Sequence, residues 1–419
     1  IRQTTMQQAL LLIILILFGL YFLLIIYYWQ SWLSIPNFKL ILNVAEGQTP
    51  NLKPAYRTGR PQTKITIIIP ARNEESNIAA CLDSVCNQSY PKDLYEVLVV
   101  DDHSTDNTAA IARKYGSQNL ALITLKDIMG DGEINSYKKK AIEAAIQRST
   151  GELIVTTDAD CIVPQNWLQT IASFYEEHQP QFLAMPVAFL PSPPVGGEGP
   201  GVRFIKIFQT LDFMTLQGIT GASVYKKIHS MCNGANLAYT KKAFEAVGGF
   251  SGIDTIASGD DMLLMHKIYR RYPDRVMFLR SKEVIVQTEP VRSVGEFFNQ
   301  RIRWASKANK YDDKRIFWVL LLVYLVNALL LTLPVISVFN NIQYPIFNVQ
   351  CSMFGVWLLL LAAKTITELV FLYPVAKFFS KQKLLWLFPL MQPFHIIYTV
   401  IAGWLGTFGR YTWKERSVK

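Results

Sequence analysis

Three pairs of carboxylates stand where a chain can put them to chemical use. Asp101 and Asp102 end the run EVLVVDD (Glu96–Asp102), Asp158 and Asp160 end GELIVTTDADC (Gly151–Cys161), and Asp260 and Asp261 stand together in SGDD. Two aspartates one residue apart on an extended strand point to opposite sides. Both can serve one cation only if the chain turns there or one acts through water. Hard oxygen donors with no His or Cys cluster beside them select Mg2+ or Mn2+. Such ions keep several waters and bind substrate phosphates, so the pattern implies a ligand carrying a diphosphate. The competing reading is turn chemistry, since Asp caps helices and makes Asx turns. For SGDD that reading puts Ser258 or Asp260 at the N-cap of the helix MLLMHKIYRRY. Joint appearance at successive strand ends favours the chemical reading.

The elements that must position these residues are also legible. KITIIIP (Lys64–Pro70) is a short β-branched run ended by proline, which suits a buried strand, and ARNEESNIAACLDSV after it opens a helix. EVLVVDD is a second strand followed by the helix NTAAIARKY, and GELIVTTDADC is a third. Strand and helix in alternation imply a mostly parallel sheet with its reactive loops at the C-terminal strand ends, where both acidic pairs lie. No G-x-G-x-x-G follows any of these strands and no Walker lysine motif occurs, which argues against dinucleotide and P-loop nucleotide chemistry.

The chain has 419 residues and a net charge of +10, with half its residues apolar. The apolar residues are concentrated. Ala9–Trp29 is uncharged and close to the roughly 20 residues that span a bilayer, so residues 1–30 read as a membrane anchor. A cleaved signal peptide fits less well, because the apolar run is long and no A-x-A-like site follows. Ile316–Phe339, Met353–Tyr373 and Leu384–Gly409 are further apolar stretches. The second contains Lys364 and Glu368, four apart and therefore on one helix face, where they can pair or line a protein-filled interior. The third holds Pro389 and Pro393 and is a kinked, re-entrant or interfacial segment, or a span. Lys377, Lys381 and Lys383 mark the loop after the second stretch as cytoplasmic, whereas Asn340–Ser352 carries no charge. The basic tail RYTWKERSVK conflicts with three complete C-terminal spans, so either the last segment stops short or the rule fails there. Five cysteines occur without a C-x-x-C pair, which points to reduced thiols rather than a zinc site or disulfide framework. The positive charge suits anionic lipid or phosphorylated substrates. Nucleic acid is disfavoured because no basic face interleaved with aromatics appears.

Taken in order, the motifs resemble the membrane-integrated glycosyltransferases of family 2, the group of cellulose, chitin and hyaluronan synthases and the nodulation chitooligosaccharide synthase. The resemblance runs from about Thr63 to Lys310. IIIPARNEE is similar to the opening strand and nucleotide loop, VVDDHSTDNT to the first aspartate motif, and TDAD to the metal-binding D-x-D. YKKKAI is similar to G-K-x-x-A-L with Tyr137 where Gly is usual, NGANLAY to the loop near the acceptor, SGDD to G-E-D, and QRIRW (Gln300–Trp304) to Q-x-x-R-W. The resemblance implies a GT-A type, Rossmann-like α/β domain with α-helical transmembrane segments. It implies an organisation of anchor (1–30), linker or interface segment (31–62), GT-A domain (63–290), amphipathic interface helix (291–315), a C-terminal bundle of two or three segments (316–409) and a basic tail (410–419).

The same resemblance implies roles. Pro70, Arg72, Glu74, Asp101, Asp102, Lys138, Asp158 and Arg303 are expected at the nucleotide. Asp102 takes the uracil or ribose side, and Pro70, Arg72 and Glu74 shape the pocket. Asp158 and Asp160 are expected at Mg2+ or Mn2+, with Asp160 the better candidate for direct contact. Asn233, Gly234, Gln300 and Trp304 are expected at the acceptor. Asp261 is the expected catalytic base, with Asp260 in place of the usual Glu. Arg301 is left as the lipid-facing charge of its motif. One base and a leaving diphosphate imply direct displacement with inversion. The expected partners are a nucleotide-sugar donor, a uridine diphosphate sugar by resemblance, a carbohydrate or lipid-linked acceptor, membrane lipids, and a second copy of the chain as a homo-oligomer. The expected location is the plasma membrane with a cytoplasmic catalytic domain. Two other functions compete: single transfer to a membrane lipid or terpenoid alcohol, and a catalytically silent scaffold or transport component. Intact Asp102, Asp158, Asp160 and Asp261 argue against the last. The Pro/Gly stretch Leu190–Gly201 reads as a surface excursion or a lid.

Overall fold

A computed structural model of the chain describes residues 2–40, 61–116, 119–129, 136–190, 200–228, 231–254, 256, 259–306, 313–339, 343–346, 349–408, 411–413 and 416–418. Most of the expected lid, Ser258, most of the expected linker and four of the ten residues of the expected tail lie outside the described residues. The chain opens on helix α1 (Arg2–Ser34). Strand β1 (Ile65–Ala71), α2 (Ile78–Cys86), β2 (Tyr95–Asp101), α3 (Thr108–Arg113), β3 (Leu120–Thr124), α4 (Leu125–Met129) and α5 (Tyr137–Arg148) follow. Next come β4 (Leu153–Thr156), α6 (Trp167–His178), β5 (Phe182–Ala184), β6 (Val187–Phe189), α7 (Pro200–Lys226), β7 (Leu237–Thr240) and α8 (Lys241–Ala246). Then α9 (Met262–Arg271), β8 (Val276–Phe278), β9 (Val286–Thr288), α10 (Val294–Ala305), α11 (Lys314–Phe339), α12 (Met353–Phe378) and α13 (Phe388–Phe408) complete the principal elements.

The chain divides into two compact units. One comprises Ile1–Ser34, Pro193–Ala222 and Pro290–Lys419; the other comprises Ile35–Ser192 and Ser223–Glu289. The segment 193–222 therefore groups with the helical unit, although it falls inside the 63–290 range expected for the GT-A domain.

The second unit is built on a sheet in the order β3-β2-β1-β4-β7-β5-β8, seven strands among the described residues. β3, β2, β1 and β4 run parallel, β7 is antiparallel to β4 and β5, and β8 is parallel to β5. The mostly parallel α/β expectation is met. β1 pairs on both sides, Ile68 opposing Leu98 on β2 and Thr156 on β4. Its Ile67, Ile68 and Ile69 are fully buried, worth roughly 1.5–3 kcal/mol each relative to exposure. That explains an unbroken β-branched run rather than alternation.

One boundary differs from expectation. The helix expected from Ala71 starts only at Ile78. Residues before it zip against the loop after β2: the Asn73 N–H donates to Ser104 Oγ at 3.1 Å, Thr105 N–H to Asn73 Oδ1 at 2.9 Å, and Glu74 N–H to Thr108 Oγ1 at 2.7 Å. Asn73 adopts the left-handed conformation, φ 51°, which an Asn tolerates and a helix does not. Side-chain oxygens outcompete helical partners for these amides.

In the helical unit, four helices are long and apolar enough to cross a membrane: Gln8–Ser34, Lys314–Val338, Met353–Phe378 and Gln382–Gly406. Along α1, Ile14, Tyr21, Ile25, Tyr28 and Trp32 form a buried stripe, spaced as one helix face. Tyr28 and Trp32 meet Phe371 and Phe378 of α12 with ring centroids 6.1 and 5.6 Å apart. The opposite side exposes Leu12, Ile13, Ile16 and Leu23.

Lys364 and Glu368 pair as their spacing predicts, Nζ to Oε1 at 2.8 Å, and both are buried. Two further groups complete the cluster. Lys364 donates to Gln392 Oε1 at 2.7 Å, Gln392 Nε2 donates to Glu368 Oε2 at 2.5 Å, and the Tyr21 hydroxyl donates to Glu368. A second ion pair joins Arg301 of α10 to Asp212 of α7 at 2.6 Å, both about 4% exposed or less. Asp212 also accepts from the Tyr398 hydroxyl. Arg301 therefore does not face lipid as expected. Its guanidinium lies 4.7 Å from the Phe297 ring centroid and 4.2 Å from that of Trp304, one turn away on either side, and it donates to Gln300 Oε1 at 3.3 Å. Stacking on aromatic faces and fork-like donation suit a guanidinium for this buried role.

Candidate functional site

The D-x-D segment sits just past the end of β4. The chain turns there, Cys161 N–H donating to Asp158 O at 3.1 Å, so the turn that one shared cation requires is present. Lys138, on the first turn of α5, places Nζ 2.7 Å from Asp158 Oδ1 and 3.3 Å from Asp260 Oδ2. Burial alone would lower this ammonium's pKa, but Asp158 and Asp260 hold it above the ordinary lysine value. Asp160 Oδ2 accepts from Thr288 Oγ1 at 3.2 Å, and its Oδ1 lies 3.5 Å from the Cys161 thiol. Burial first, then Asp158 and Glu74, raise the Asp160 carboxyl to about 6. Buried negative charge concentrated on hard oxygens is what a divalent cation relieves, so Asp158 and Asp160 fit an Mg2+ or Mn2+ ion. Among the described residues no three His, Cys, Asp or Glu side chains converge as a metal cage. Water and ligand oxygens would fill the remaining positions.

Asp261 caps α9. The cap was expected at Ser258 or Asp260; instead Asp261 Oδ1 accepts from Met262 N–H at 2.7 Å, while Oδ2 accepts from Gly234 N–H at 3.2 Å. Gly259 precedes it at φ 85°, a conformation that turns the chain sharply and favours glycine. The segment ahead of this turn is held from behind: Lys139 Nζ donates to the carbonyls of Ile253 and Ile256, both at 2.6 Å, and Lys267 Nζ to those of Gly249 and Ser251 at 2.6 and 2.7 Å. Asn233 Oδ1 accepts from Ala235 N–H at 3.0 Å, an Asx turn that presents Gly234. Gly234 O in turn accepts from Thr156 Oγ1 on β4 at 3.4 Å.

At the neighbouring strand end, Arg72 donates to Asp102 O at 2.9 Å and lies 3.8 Å from Asp102 Oδ1. His103, at φ 54°, sets its Nδ1 3.1 Å from the same carboxylate and meets the Tyr137 ring edge-on at 5.7 Å. Asp101 Oδ1 is buried and has no hydrogen-bond partner among the described residues. Pro70 is half-buried on β1, and Glu74 Oε2 accepts from Asn77 at 3.0 Å. Pro70, Arg72, Glu74, Asp101, Asp102, Lys138, Asp158, Asp160, Asn233, Gly234, Asp260 and Asp261 all belong to the sheet-based unit, whereas Gln300, Arg303 and Trp304 belong to the helical unit. Sequence reasoning missed Thr288 and Lys139. Neither carries a local signal, since one is the last residue of a short strand and the other one lysine in a run of three.

A family model described as Glycosyl transferase family 2 matches residues 66–247. That segment is a glycosyltransferase family 2 domain. Two relatives in this group share parts of the chain. Glycosyltransferase AglE of Haloferax volcanii is 39% identical over 105 residues, 25% of this chain and 33% of its own length. A beta-monoglucosyldiacylglycerol synthase of Synechocystis is 29% identical over 143 residues, 33% of this chain and 29% of its own length. The matches thus span about a third of these two relatives' own length. A mannosyltransferase from Pyrobaculum calidifontis, solved in complex with GDP-Man and Mn2+, is similar with a TM-score of 0.48 and 18% identity, covering 94% of this chain and 98% of that one. The family 2 domain encloses both carboxylates of the D-x-D but ends before Asp260 and Asp261.

Within this domain Gly234 offers a sharp test. A Cβ added there would lie 3.4 Å from Lys138 Nζ, 3.5 Å from Asp260 Oδ2 and 3.6 Å from Asp261 Cβ, ordinary van der Waals contact. Gly234→Ala is therefore expected to keep its melting temperature within about 2 °C while, on the reading proposed below, a methyl group among these side chains lowers transfer up to about 100-fold. Paired melting curves and initial rates check this. An alanine variant with unimpaired turnover removes Gly234 from the reactive surface.

Proposed function

We propose that the chain is a membrane-integrated, inverting glycosyltransferase. It moves a sugar from a nucleoside diphosphate donor, a uridine diphosphate sugar, to a carbohydrate or lipid-linked acceptor. The observation that carries this reading is the convergence of Asp158, Asp160, Lys138, Gly234, Asp260 and Asp261 in one unit, six positions drawn from four separate motifs. Asp261 takes the proton of the acceptor hydroxyl as that oxygen attacks the anomeric carbon and the bond to the diphosphate oxygen breaks. Its two backbone donors fix the carboxylate's orientation without neutralising it. Asp158 and Asp160 would hold a divalent ion, which would supply positive charge for the leaving diphosphate. Lys138 adds a cation beside it. Asp101, whose Oδ1 is buried and unpaired among the described residues, is the acceptor available to a donor N–H or hydroxyl of the nucleoside, while Arg72 and His103 hold Asp102 beside it. Arg303 serves the diphosphate, and Gln300 and Trp304 the acceptor. The four long apolar helices anchor the enzyme in the plasma membrane, and Lys377, Lys381 and Lys383 support a cytoplasmic catalytic domain.

A second reading is single transfer to a membrane lipid. The relative named beta-monoglucosyldiacylglycerol synthase favours it. One experiment separates the readings: a panel of nucleotide sugars supplied with Mn2+ or Mg2+ and membrane extract, followed by mass measurement of the product. A ladder of added sugars supports chain extension, and one sugar on a lipid supports single transfer. Absence of diphosphate release with every donor would overturn both.

A further inference from the structure

We propose that Lys138 is a built-in counter-cation, seated between Asp158 and Asp260 until a divalent ion takes Asp158, after which its ammonium turns to the incoming diphosphate. The inference rests on reading Asp158 as a metal ligand. Two observations and one electrostatic argument support it. The ammonium contacts carboxylates from two different segments, at 2.7 Å on Asp158 and 3.3 Å on Asp260, and so neutralises charge that the fold has brought together. An ion coordinated by Asp158 would stand close enough to this ammonium to repel it strongly, so metal and Lys138 compete for the same carboxylate. The neighbouring cations are held elsewhere: Arg72 on Asp102, Lys139 on the carbonyls of Ile253 and Ile256, and Lys140 on Glu143 at 2.9 Å.

The side chain is suited to leaving. Lysine is a point charge on a flexible four-carbon stem, without the fork that would lock a guanidinium in place. Its side chain is 21% exposed. Gly234 presents no side chain beside Nζ, where even a methyl carbon would come to 3.4 Å. The movement also releases Asp260, next to Asp261, so the donor-side and base-side carboxylates are linked through one side chain.

The substitution predicts two changes of opposite sign. Mn2+ alone is titrated calorimetrically into the full-length protein, wild type and Lys138→Met. Uridine diphosphate is then titrated in the presence of saturating Mn2+. Lys138→Met should bind Mn2+ more tightly, on the order of tenfold, as one competing unit charge is removed. The same variant should bind uridine diphosphate about tenfold more weakly, since the diphosphate loses its cation. Lys138→Arg keeps the charge and should bind Mn2+ like the wild type. If Lys138→Met fails to melt cooperatively, Lys138→Gln supplies the same loss of charge with a hydrogen bond retained. Wild type and neutral variants that bind Mn2+ equally, or neutral variants that bind it less tightly, overturn the proposal and leave the glycosyltransferase reading standing. Absence of Mn2+ binding in every protein overturns the metal reading of Asp158 and Asp160 itself.

Discussion

Asp261→Asn is expected to lower transfer by about 100- to 10,000-fold, the usual contribution of a positioned general base, while nucleotide binding stays within about twofold. The choice of asparagine matters. Asp261 caps α9 through Met262 N–H and accepts from Gly234 N–H, and Asn is about as good a cap as Asp. An amide oxygen keeps one of these bonds, so a collapse of α9 or of the NGA turn is not the expected cause of any lost rate. What the amide cannot do is accept the acceptor's proton. Calorimetric titration with uridine diphosphate and initial rates, measured on the same preparation, decide the matter. Retained turnover would take Asp261 out of the base role and move attention to Asp260, which shares Lys138 with Asp158.

The second large effect lies in the helical unit. Removing one member of the Lys364–Glu368 pair leaves an uncompensated buried charge, and breaking such pairs costs about 3–5 kcal/mol. Glu368→Ala leaves Lys364 with Gln392 Oε1 as its one acceptor among the described residues and removes the acceptor of Tyr21. Lys364→Met strands Glu368. Each should lower the melting temperature in detergent by several degrees or more. The double variant Lys364→Met/Glu368→Leu should recover part of the loss, because well-packed apolar replacements of a whole buried pair are often neutral or better. Singles that melt like the wild type, or a double variant worse than the sum of both, would refute this account.

How far each feature could be read from the chain depended on its range. The β-branched runs of β1, β2 and β4 announce buried parallel strands because both faces are covered, and their acidic ends follow from the topology. The pairing of Lys364 with Glu368 follows from four-residue spacing on one helix. No local pattern, however, joins Tyr21 or Gln392 to that pair, since their partners lie on other helices. The same holds for Asp212, which sits in an apolar helical stretch and meets Arg301 only in the folded unit. Reading Arg301 as lipid-facing failed for this reason: the positive-inside tendency describes basic residues near spans in general, and a buried carboxylate from α7 overrides it. The α2 boundary failed because hydroxyls of a distant loop and of the first residue of α3, not helical carbonyls, satisfy the amides of Asn73 and Glu74. The N-cap of α9 slipped by one residue because Gly259 turns the chain late.

Lys139 and Lys267 hold the stretch before Asp261 by four main-chain carbonyl oxygens, so the grip does not depend on which side chains that stretch carries. Phe250 is buried and Gly252 sits at φ 80°, but the side chains of Ser251, Ile253 and Asp254 take no part in the anchor and could change without surrendering it. Divergence there would be a cheap route to new acceptor preferences, provided both lysines stay.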